Sequence, residues 1–438
     1  MEPGFAFKSK EFTDFGIPVL KIKNVKANSV PLHSLSYVDE SFLASRPTKI
    51  AKKGDLLITM SGNRHDGTKE TWVGKVAEFR HDGSYFLNQR VGALRLKLDV
   101  AADTRCCGYF LSSDLYQNRF IAVATSSGGQ ANLSPEQILN ETISLPTLRS
   151  QQSISSLLGA LDDKIENNRR MNETLEEMAR AIFKSWFVDF DPVHAKAAGN
   201  APAHMDADTA ALFPSSFGDG GLPVGWLELP LSDVTTRITK GTTPTKGDMA
   251  LASNEVAQVN FLKVNMVSSE GVILKDKLET IPNSIHLSKL KRSILKKDDV
   301  LYSIAGTIGR VVSVSDEILP ANTNQALAII SPNTNIVPAG FIRLTMSRPD
   351  IQSSLNSSVV QGVQANLGLG VISNQVAVFP PADQIFSIFE KIRLLLEKKQ
   401  MNQLENEALT ELRDTLLPKL MSGEIRVTDA KSEVEAAV

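Results

Sequence analysis

The stretch that decides the fold is "IENNRRMNETLEEM", residues 165–178, read beside "KQMNQLENEALTEL", residues 399–412. At an offset of 234 positions, Asn168 falls on Asn402 and Asn172 falls on Asn406. A repeat of this kind within one chain indicates a duplicated unit, so the rest of the sequence is best read as two halves.

Apolar residues on both sides of these asparagines recur three or four positions apart, which is typical of one face of a helix. They are Ile154, Leu157 or Leu158, Leu161, Ile165, Leu175, Met178, Ile182 and Trp186 in the first half, and Ile388, Ile392, Leu395, Leu409, Leu412, Leu416 and Leu420 in the second. The pattern predicts two long helices, at 150–190 and 384–425. Helices of about 33 residues are rods of roughly 50 Å, longer than a small domain needs.

We expect the two helices to pair as an antiparallel coiled coil, with buried asparagines that set its register at some cost in stability. Antiparallel pairing brings Asn168 to Asn406 and Asn172 to Asn402. Parallel pairing also matches asparagine with asparagine, so the residues alone leave the direction open. A further alternative is two separate amphipathic helices, each covering its own domain.

The repeat extends beyond the helices. "QANL" occurs at 130–133 and again at 364–367, Asn88-Gln89 matches Asn324-Gln325, and "KKGDLLITMSG" at 52–62 matches "KKDDVLYSIAG" at 296–306. The predicted domains are a first globular unit (1–149), a long helix (150–190), an Ala-, Gly- and Pro-rich linker with an extended or loosely ordered chain (191–225), a second globular unit (226–383), a long helix with an exit strand (384–425) and a disordered tail (426–438).

Both globular units are predicted to be α+β. Short alternating runs such as "GDLLITMSG" and "DVLYSIAG" indicate strands, and residues 107–120 indicate a helix. The second unit begins with "GWLELPLSDVTTRITKGTTPTKG" (225–247), of which the first has only "GFAFKSK" (4–10) as a counterpart. We therefore expect some fifteen to twenty residues to be absent before Met1, through a misplaced start or a naturally missing strand.

The Gly-punctuated loops are the candidate binding sites. Hydroxyls and lysines suit DNA phosphates, arginine suits guanine edges, and an ordinary solvated loop is the alternative for each of them. The candidates in the first unit are Lys8, Lys10, Ser61, Arg64, His65 and Lys69. Those in the second unit are Arg237, Lys240, Thr242, Thr243, Lys246, Thr307 and Arg310.

Composition limits the other possibilities. Of the 438 residues, 42% are hydrophobic and the net charge is −2, which is typical of a soluble protein and does not by itself indicate nucleic acid. No apolar run is long enough for a membrane helix and no signal core is present, so a cytoplasmic location is expected. Adjacent Cys106 and Cys107 predict reduced core thiols. We find no catalytic motif or metal-ligand spacing, and expect neither a catalytic residue nor a bound metal.

This arrangement resembles the specificity subunit of type I restriction–modification systems. The resemblance rests on "GFAFKSKEFTDFGIPVLKIKNV", "KKGDLLITMSG", "LDDKIENNRRMNETLEEMARAIFKSWFVDFDPV" (161–193) and "NEALTELRDTLLPKLMSGEI" (406–425), and it covers almost the whole chain. It implies two target-recognition domains, each reading one half of a split, asymmetric site on double-stranded DNA, held apart by an antiparallel coiled coil. The short N-terminus departs from the family pattern.

The resemblance also implies partners. Modification subunits, two in number, are expected to dock on the helices and to carry S-adenosylmethionine and the adenine-methylating site. Restriction subunits are expected to add translocation and cleavage driven by ATP, with Mg²⁺, while the specificity subunit binds no cofactor and catalyses nothing. The rival hypothesis is a helical adaptor that gathers partner proteins and never touches DNA. A stand-alone nuclease is a third, weaker candidate because no carboxylate cluster is apparent.

Overall fold

The computed structural model describes residues 1–66, 69–97, 99–127, 129–252, 254–268, 271–359 and 366–437. The chain divides into two compact units. Unit 1 comprises Met1–Arg169 with Gln403–Val438, and unit 2 comprises Arg170–Asn402. Both long helices therefore contribute one half to each unit.

The described residues form strands and helices in the following order. The strands are β1 (Glu2–Pro3), β2 (Phe12–Thr13), β3 (Ile17–Leu20), β4 (Ser36–Val38), β5 (Ile50–Ala51), β6 (Leu56–Thr59), β7 (Ser61–Gly62), β8 (Val76–Glu78), β9 (Tyr85–Leu87), β10 (Val91–Leu94), β11 (Thr125–Ser127), β12 (Gln130–Asn132), β13 (Leu227–Pro230), β14 (Thr235–Lys240), β15 (Gln258–Leu262), β16 (Glu279–Pro282), β17 (Val300–Ser303), β18 (Val311–Ser313), β19 (Ala321–Thr323), β20 (Leu327–Pro332) and β21 (Val376–Phe379). The helices are α1 (Phe42–Ser45), α2 (Thr104–Ser112), α3 (Asp114–Val123), α4 (Pro135–Leu139), α5 (Leu148–Phe187), α6 (Asp191–Ala197), α7 (Ala207–Ala211), α8 (Lys246–Leu251), α9 (Asn283–Leu287), α10 (Ala339–Met346), α11 (Pro349–Ser357), α12 (Leu369–Ser373), α13 (Ala382–Ser422) and α14 (Val427–Ala437).

The central sheet of unit 1 has the order β1-β10-β6-β8, with antiparallel neighbours throughout. Strand β6 reads "LLIT" and is buried along its whole length, because the sheet is covered on both faces. A second sheet, β2-β4-β3-β9-β5, contains one parallel pair, β3 with β9. Strands β11 and β12 form a hairpin that pairs with β7.

Unit 2 repeats this plan. Its central sheet has the order β14-β20-β17-β18, and the smaller sheet β16-β15-β19 contains the parallel pair β15 with β19. Edge strand β14 spans six residues where β1 spans two. An additional pair, β13 with β21, lies outside the shared plan. The α+β class and the duplication are confirmed.

In unit 1, the first half of α5 packs against the second half of α13. Ile154, Leu158, Leu161 and Ile165 share one buried cluster with Leu409, Leu416, Leu417 and Leu420. Asn168 Nδ2 donates to Asn406 Oδ1 at 3.0 Å, and Arg413 Nη1 donates to Asp162 Oδ1 at 2.8 Å. The residue numbers fall on α5 as they rise on α13, so the two helices run antiparallel here.

In unit 2, the second half of α5 packs against the first half of α13. Asn402 Nδ2 donates to Asn172 Oδ1 at 3.0 Å, and Lys399 Nζ donates to Glu176 Oε2 at 2.9 Å. The order is again antiparallel, with the asparagine partners that this pairing predicts. Met178, which the spacing placed in the apolar seam, is 46% exposed instead, because the neighbouring Ala179 occupies the buried position.

The predictions of an exit strand and of a disordered tail are both wrong. Helix α13 ends at Ser422, Gly423 turns the chain at φ +75°, and residues 427–437 form α14. Ala430 is completely buried, while Val427 and Val434 pack against the core of unit 1. These three residues follow helical spacing, so one apolar face of α14 covers the unit.

The prediction of a loosely ordered linker is also wrong. Residues 191–225 contain α6 and α7, and their side chains join the core of unit 2. Val193 and Phe213 are buried, and Met205 and Phe217 pack beside them. Because most residues of this segment are small or polar, its sequence did not indicate that a few large apolar side chains would pack into the core. Among the described helices, none has the length and apolar character needed to cross a membrane.

Candidate nucleic-acid interface

The repeated motifs of unit 1 come together at the end of the central strand β6. Four hydrogen bonds join them, namely Gly4 N to Val91 O (2.9 Å), Phe5 N to Leu87 O (2.8 Å), Met60 N to Arg90 O (2.8 Å) and Leu133 N to Met60 O (2.9 Å). We call residues 4–10, 61–65, 88–90 and 130–133 the motif cluster of unit 1. Segments that are distant in sequence thus lie next to one another.

Unit 2 assembles the equivalent segments with the same backbone bonds. They are Gly241 N to Leu327 O (3.1 Å), Thr242 N to Thr323 O (3.0 Å), Ile304 N to Ala326 O (2.8 Å) and Leu367 N to Ile304 O (2.9 Å). Residues 241–246, 305–310, 324–326 and 366–367 form the motif cluster of unit 2. The first two residues of its "QANL", Gln364 and Ala365, lie outside the described residues.

The role of "QANL" follows from these contacts. In unit 1, Asn132 pairs in register with Ser61, and in unit 2 Asn366 makes the equivalent bridge to Ala305. The leucine that follows is buried in both units. The motif therefore closes the end of the central strand, with its leucine in the core.

A glycine at the entrance to each cluster permits close approach of two chain segments. A Cβ built on Gly4 would lie 2.1 Å from the carbonyl oxygen of Asn88, and one on Gly241 would lie 2.1 Å from that of Asn324. Any other residue would collide with the backbone of the Asn-Gln turn, which is Asn88-Gln89 in unit 1 and Asn324-Gln325 in unit 2. This equivalence supports the alignment of "GFAFKSK" with "GTTPTKG".

The structure corrects the expectation for Ser61, which is only 3% exposed. Its hydroxyl donates to Asn132 Oδ1 at 2.6 Å and accepts from Arg90 Nη1 at 2.6 Å. Arg90 also donates to Asn132 Oδ1. Ser61 therefore positions Arg90, which is exposed and which the sequence analysis did not select.

The guanidinium of Arg64, a predicted DNA contact, is hydrogen-bonded within the protein. Its guanidinium donates to Ile121 O at 3.2 Å, to Ala124 O and to Ser126 Oγ at 3.2 Å. A cation at the C-terminal end of α3 satisfies carbonyls that the helix leaves unpaired and interacts well with its dipole. Arg64 thus fastens the loop to α3.

Two further candidates in this loop remain exposed. The His65 ring lies edge-on to Trp72, with centroids 4.9 Å apart, and its Nε2 is 3.0 Å from Asn118 Oδ1. Lys69 pairs with Asp114 at the surface, where an ion pair contributes little stability. Gly67 and Thr68 of the same loop lie outside the described residues.

In unit 2, the guanidiniums of Arg237 and Arg310 are likewise hydrogen-bonded within the protein, and a DNA contact by either residue stays a prediction. Arg237 donates to Asp299 Oδ2 at 2.9 Å and to Ile294 O at 3.2 Å. Arg310 donates to the carbonyl oxygens of Val264, at 3.3 Å, and Val267. Both guanidiniums join the central sheet to neighbouring segments.

The other candidate side chains are exposed. They are Lys8 and Lys10 in unit 1, and Lys240, Thr242, Thr243, Lys246 and Thr307 in unit 2. Lys246 opens α8, whose cap is Thr245 with Asp248. Thr242 and Thr243 lie beside the Asn-Gln turn of unit 2. A DNA contact by these residues stays a prediction.

The candidates chosen from the sequence do not include Lys75, the unit 1 counterpart of Arg310. Burial lowers the pKa of Lys75 to about 8, with the neighbouring Lys26 acting in the same direction and Glu70 opposing it. Its Nζ donates to Glu70 O, as Arg310 donates to carbonyls in unit 2. The strands that follow, β8 and β18, align these residues and could have identified the pair.

The described residues meet neither the requirements of a metal site nor those of a reactive cysteine. No group of three or more His, Cys, Asp or Glu side chains there is arranged to hold a metal ion. Cys106 and Cys107 are free and buried, as predicted, and burial raises the pKa of the Cys106 thiol to about 12. A thiol of that acidity is a poor nucleophile at neutral pH.

Comparisons with known proteins agree with this geometry. The family model described as "Type I restriction modification DNA specificity domain" matches residues 2–177 and 223–406. The HindI specificity subunit of Haemophilus influenzae is 29% identical over 344 residues, covering 68% of this chain and 72% of its own. The EcoBI specificity subunit of Escherichia coli is 24% identical and covers 96% and 83%.

A solved structure shares the fold. The type I restriction–modification S subunit from M. genitalium superposes with a TM-score of 0.52 at 16% identity, covering 96% of this chain and 92% of its own. At that identity, the likeness concerns the architecture alone. The two matched segments of the family model contain the two motif clusters.

Proposed function

This chain belongs to the type I restriction–modification DNA specificity family, and from that membership we propose that it recognises a split, asymmetric sequence on double-stranded DNA, one half-site with each unit. One observation carries the proposal. The two motif clusters have equivalent backbones but, apart from one repeated glutamine, different exposed side chains, as expected for one scaffold that reads two different sequences.

The differences lie where a base reader would need them. Arg90 of unit 1 corresponds to Ala326, and Ser61, which positions Arg90, corresponds to Ala305. Thr243 of unit 2 corresponds in turn to Ala6. Arginine donors favour guanine, whereas hydroxyls tolerate several bases. Because the two units share a backbone but present different hydrogen-bond donors, we expect their half-sites to differ, and the target is then not palindromic.

Selection from a pool of random double-stranded DNA tests the proposal. The full chain is expected to enrich two short sequences at a constant separation, and its affinity is expected to fall steeply with salt because phosphate contacts release counterions. An adaptor that does not bind DNA would enrich nothing at either low or moderate salt. Exchanging residues 1–146 for those of a relative should change one half-site and leave the other intact; a change in both or in neither contradicts modular reading.

The long helices support a spacer function in this proposal. Each is continuous through residues that belong to both units. Deleting seven residues from each helix shortens it by about 10 Å, or roughly three base pairs of duplex. We expect the gap between half-sites to shorten accordingly or binding to be abolished. An unchanged gap would show that the helices do not set the distance.

We assign methylation and cleavage to partner subunits that use S-adenosylmethionine, ATP and Mg²⁺. A surface on α13 supports docking of a modification subunit, two of which would complete the complex. Phe386, Leu394 and Met401, spaced eight and seven residues apart, lie on one face of the helix and are 40%, 48% and 62% exposed. A partner that buries such a stripe gains from the hydrophobic effect.

Co-purification with the modification subunit tests this surface. The double variant Leu394→Ser, Met401→Ser is expected to weaken the complex at least tenfold while the chain still binds DNA. Val256→Ser, at a side chain that is 95% exposed on a loop of unit 2, is the matched control and should leave the complex unchanged. Equal retention of the double variant and the control would contradict docking at this face.

A further inference from the structure

The Asn-Gln turn presents the same exposed residue in both motif clusters. Gln89 follows Asn88 in the turn between β9 and β10, and Gln325 follows Asn324 in the turn between β19 and β20. Both glutamines are exposed. Repeated residues in the core are explained by packing, but packing does not explain why an exposed side chain is the same in two units whose other loop residues differ.

The backbone of both turns is held by equivalent bonds. Asn88 N donates to Leu20 O at 3.0 Å, and Asn324 N donates to Leu262 O at 3.1 Å. On the other side, Val91 N donates to Asn88 O at 2.8 Å. Leu327 N makes the same bond to Asn324 O, at 3.2 Å. Gly4 and Gly241 also pack closely against the backbone of the asparagine in each turn. The backbone that carries each glutamine is therefore held in place.

The surroundings of the two glutamines differ. The Gln89 amide makes no hydrogen bond to any residue that the structure describes. In unit 2, the Thr243 hydroxyl donates to Gln325 Oε1. The residue after glutamine is Arg90 in one unit and Ala326 in the other. The amide is thus the constant feature within a variable surface.

If the same glutamine side chain contacts a base in both half-sites, the two half-sites share the base pair that it recognises. A glutamine amide carries one donor and one acceptor, the pattern that matches N7 and the N6 amino group of adenine in the major groove. We propose that Gln89 and Gln325 each contact the adenine of one A·T base pair common to both half-sites. This inference rests on the proposed function, since it requires that the motif clusters face DNA.

The experiment compares the full chain with single variants in the same selection from random DNA. Gln89→Ala should lower discrimination about 10- to 100-fold at one A·T pair of the first half-site alone. Gln325→Ala should do the same in the second half-site alone. Because both side chains are exposed, thermal unfolding should be unchanged. Gln400→Ala, at an exposed glutamine on α13, is the matched control and should leave both half-sites intact.

A charge substitution gives a second readout. Gln89→Glu replaces the amide donor with an acceptor, so the preferred base should shift from adenine towards cytosine, whose N4 amino group donates. If the unmodified chain selects no split sequence, the proposed function fails. If it selects one, the inference is overturned by half-sites without a common adenine, or by glutamine variants that keep full discrimination at every position.

Discussion

The Arg95 guanidinium holds the buried Asp55 carboxylate through two hydrogen bonds, from Nε to Oδ1 at 2.7 Å and from Nη2 to Oδ2 at 2.6 Å. In unit 2, the equivalent Asp299 is held by Arg237 at 2.9 Å and by the Ser331 hydroxyl. Ser331 occupies the position of Arg95 at an offset of 236. The two units thus pair equivalent carboxylates with a guanidinium from different positions along the chain: Arg95 follows β10, whereas Arg237 lies in β14.

Replacing Arg95 should therefore damage unit 1 more than the equivalent change damages unit 2. Arg95→Ser leaves Asp55 buried without its cation, and we expect a loss of about 2 kcal/mol in the free energy of unfolding. Ser331→Ala removes one hydroxyl and should cost about 1 kcal/mol. Urea unfolding measures both. Equal losses in the two variants would contradict the exchange of roles.

The asparagine pairs should show energetic coupling. Asn168→Leu alone leaves the Asn406 amide without its partner in a half-buried site and is expected to destabilise unit 1 by about 1 kcal/mol. The double variant Asn168→Leu, Asn406→Leu should recover this loss and exceed the stability of the original chain, because apolar residues pack better in a coiled-coil seam. A double-mutant cycle measures the coupling, and strictly additive effects would show that the pair does not interact.

Glu176 makes the stability of unit 2 sensitive to acid. Burial opposes ionisation of this carboxylate, but Arg343 and Lys399 outweigh burial and hold the pKa of Glu176 well below its ordinary value of 4.5. A group with a lowered pKa stabilises the folded state above its unfolded value, and this contribution is lost as the pH falls through the folded value. We expect stability to decline below pH 4.5.

Glu176→Gln tests this prediction. At pH 7, the variant should be less stable by about 3 kcal/mol, because Arg343 and Lys399 lose their buried partner. The difference should narrow as the pH falls below about 4.5, where the original carboxylate begins to take up protons in the unfolded chain. Urea unfolding at several pH values follows the narrowing. A constant difference would mean that another group governs the acid response.

Lys75 should act in the alkaline range. Its pKa is lowered to about 8 by burial, so between pH 8 and 10 the unfolded chain binds the proton that the folded chain has released. Stability must then rise with pH through this window. Lys75→Met removes the buried charge and should be more stable than the original chain at pH 7, by about 2 kcal/mol, with a smaller advantage at pH 10. An advantage independent of pH would assign the effect to packing.

The long helices and the order of the domains could be predicted, because helical spacing and repeat offsets depend only on positions along the chain. The tail and the linker could not. Val427, Ala430 and Val434 form an apolar face too short to identify an isolated helix, and the large apolar residues of the linker, such as Phe213, are few and irregularly spaced among small ones. Such segments fold because a core already formed elsewhere accepts their few apolar side chains.

The candidate site shows the same division. Lys8, Lys10 and Lys246 are exposed, as a contact with DNA phosphates requires, although Lys246 begins helix α8. Arg64, Arg237 and Arg310 are arginines in similar loops, yet each reaches carbonyl or carboxylate oxygens contributed by a segment more than 40 residues away. No local pattern distinguishes an arginine that faces solvent from one that fastens two segments.

The sequence by itself determined the duplication, the two helices and the positions of the asparagines in them, because these depend on spacing along the chain, whereas the antiparallel pairing of those asparagines is seen only in the structure. Only the tertiary structure decided which polar side chains remain free to meet a partner, and it brought the four repeated motifs of each unit to one surface. The reason is physical: a buried carbonyl or carboxylate must be satisfied by whichever donor the fold carries to it, and fewer of that side chain's N–H groups are then left for DNA.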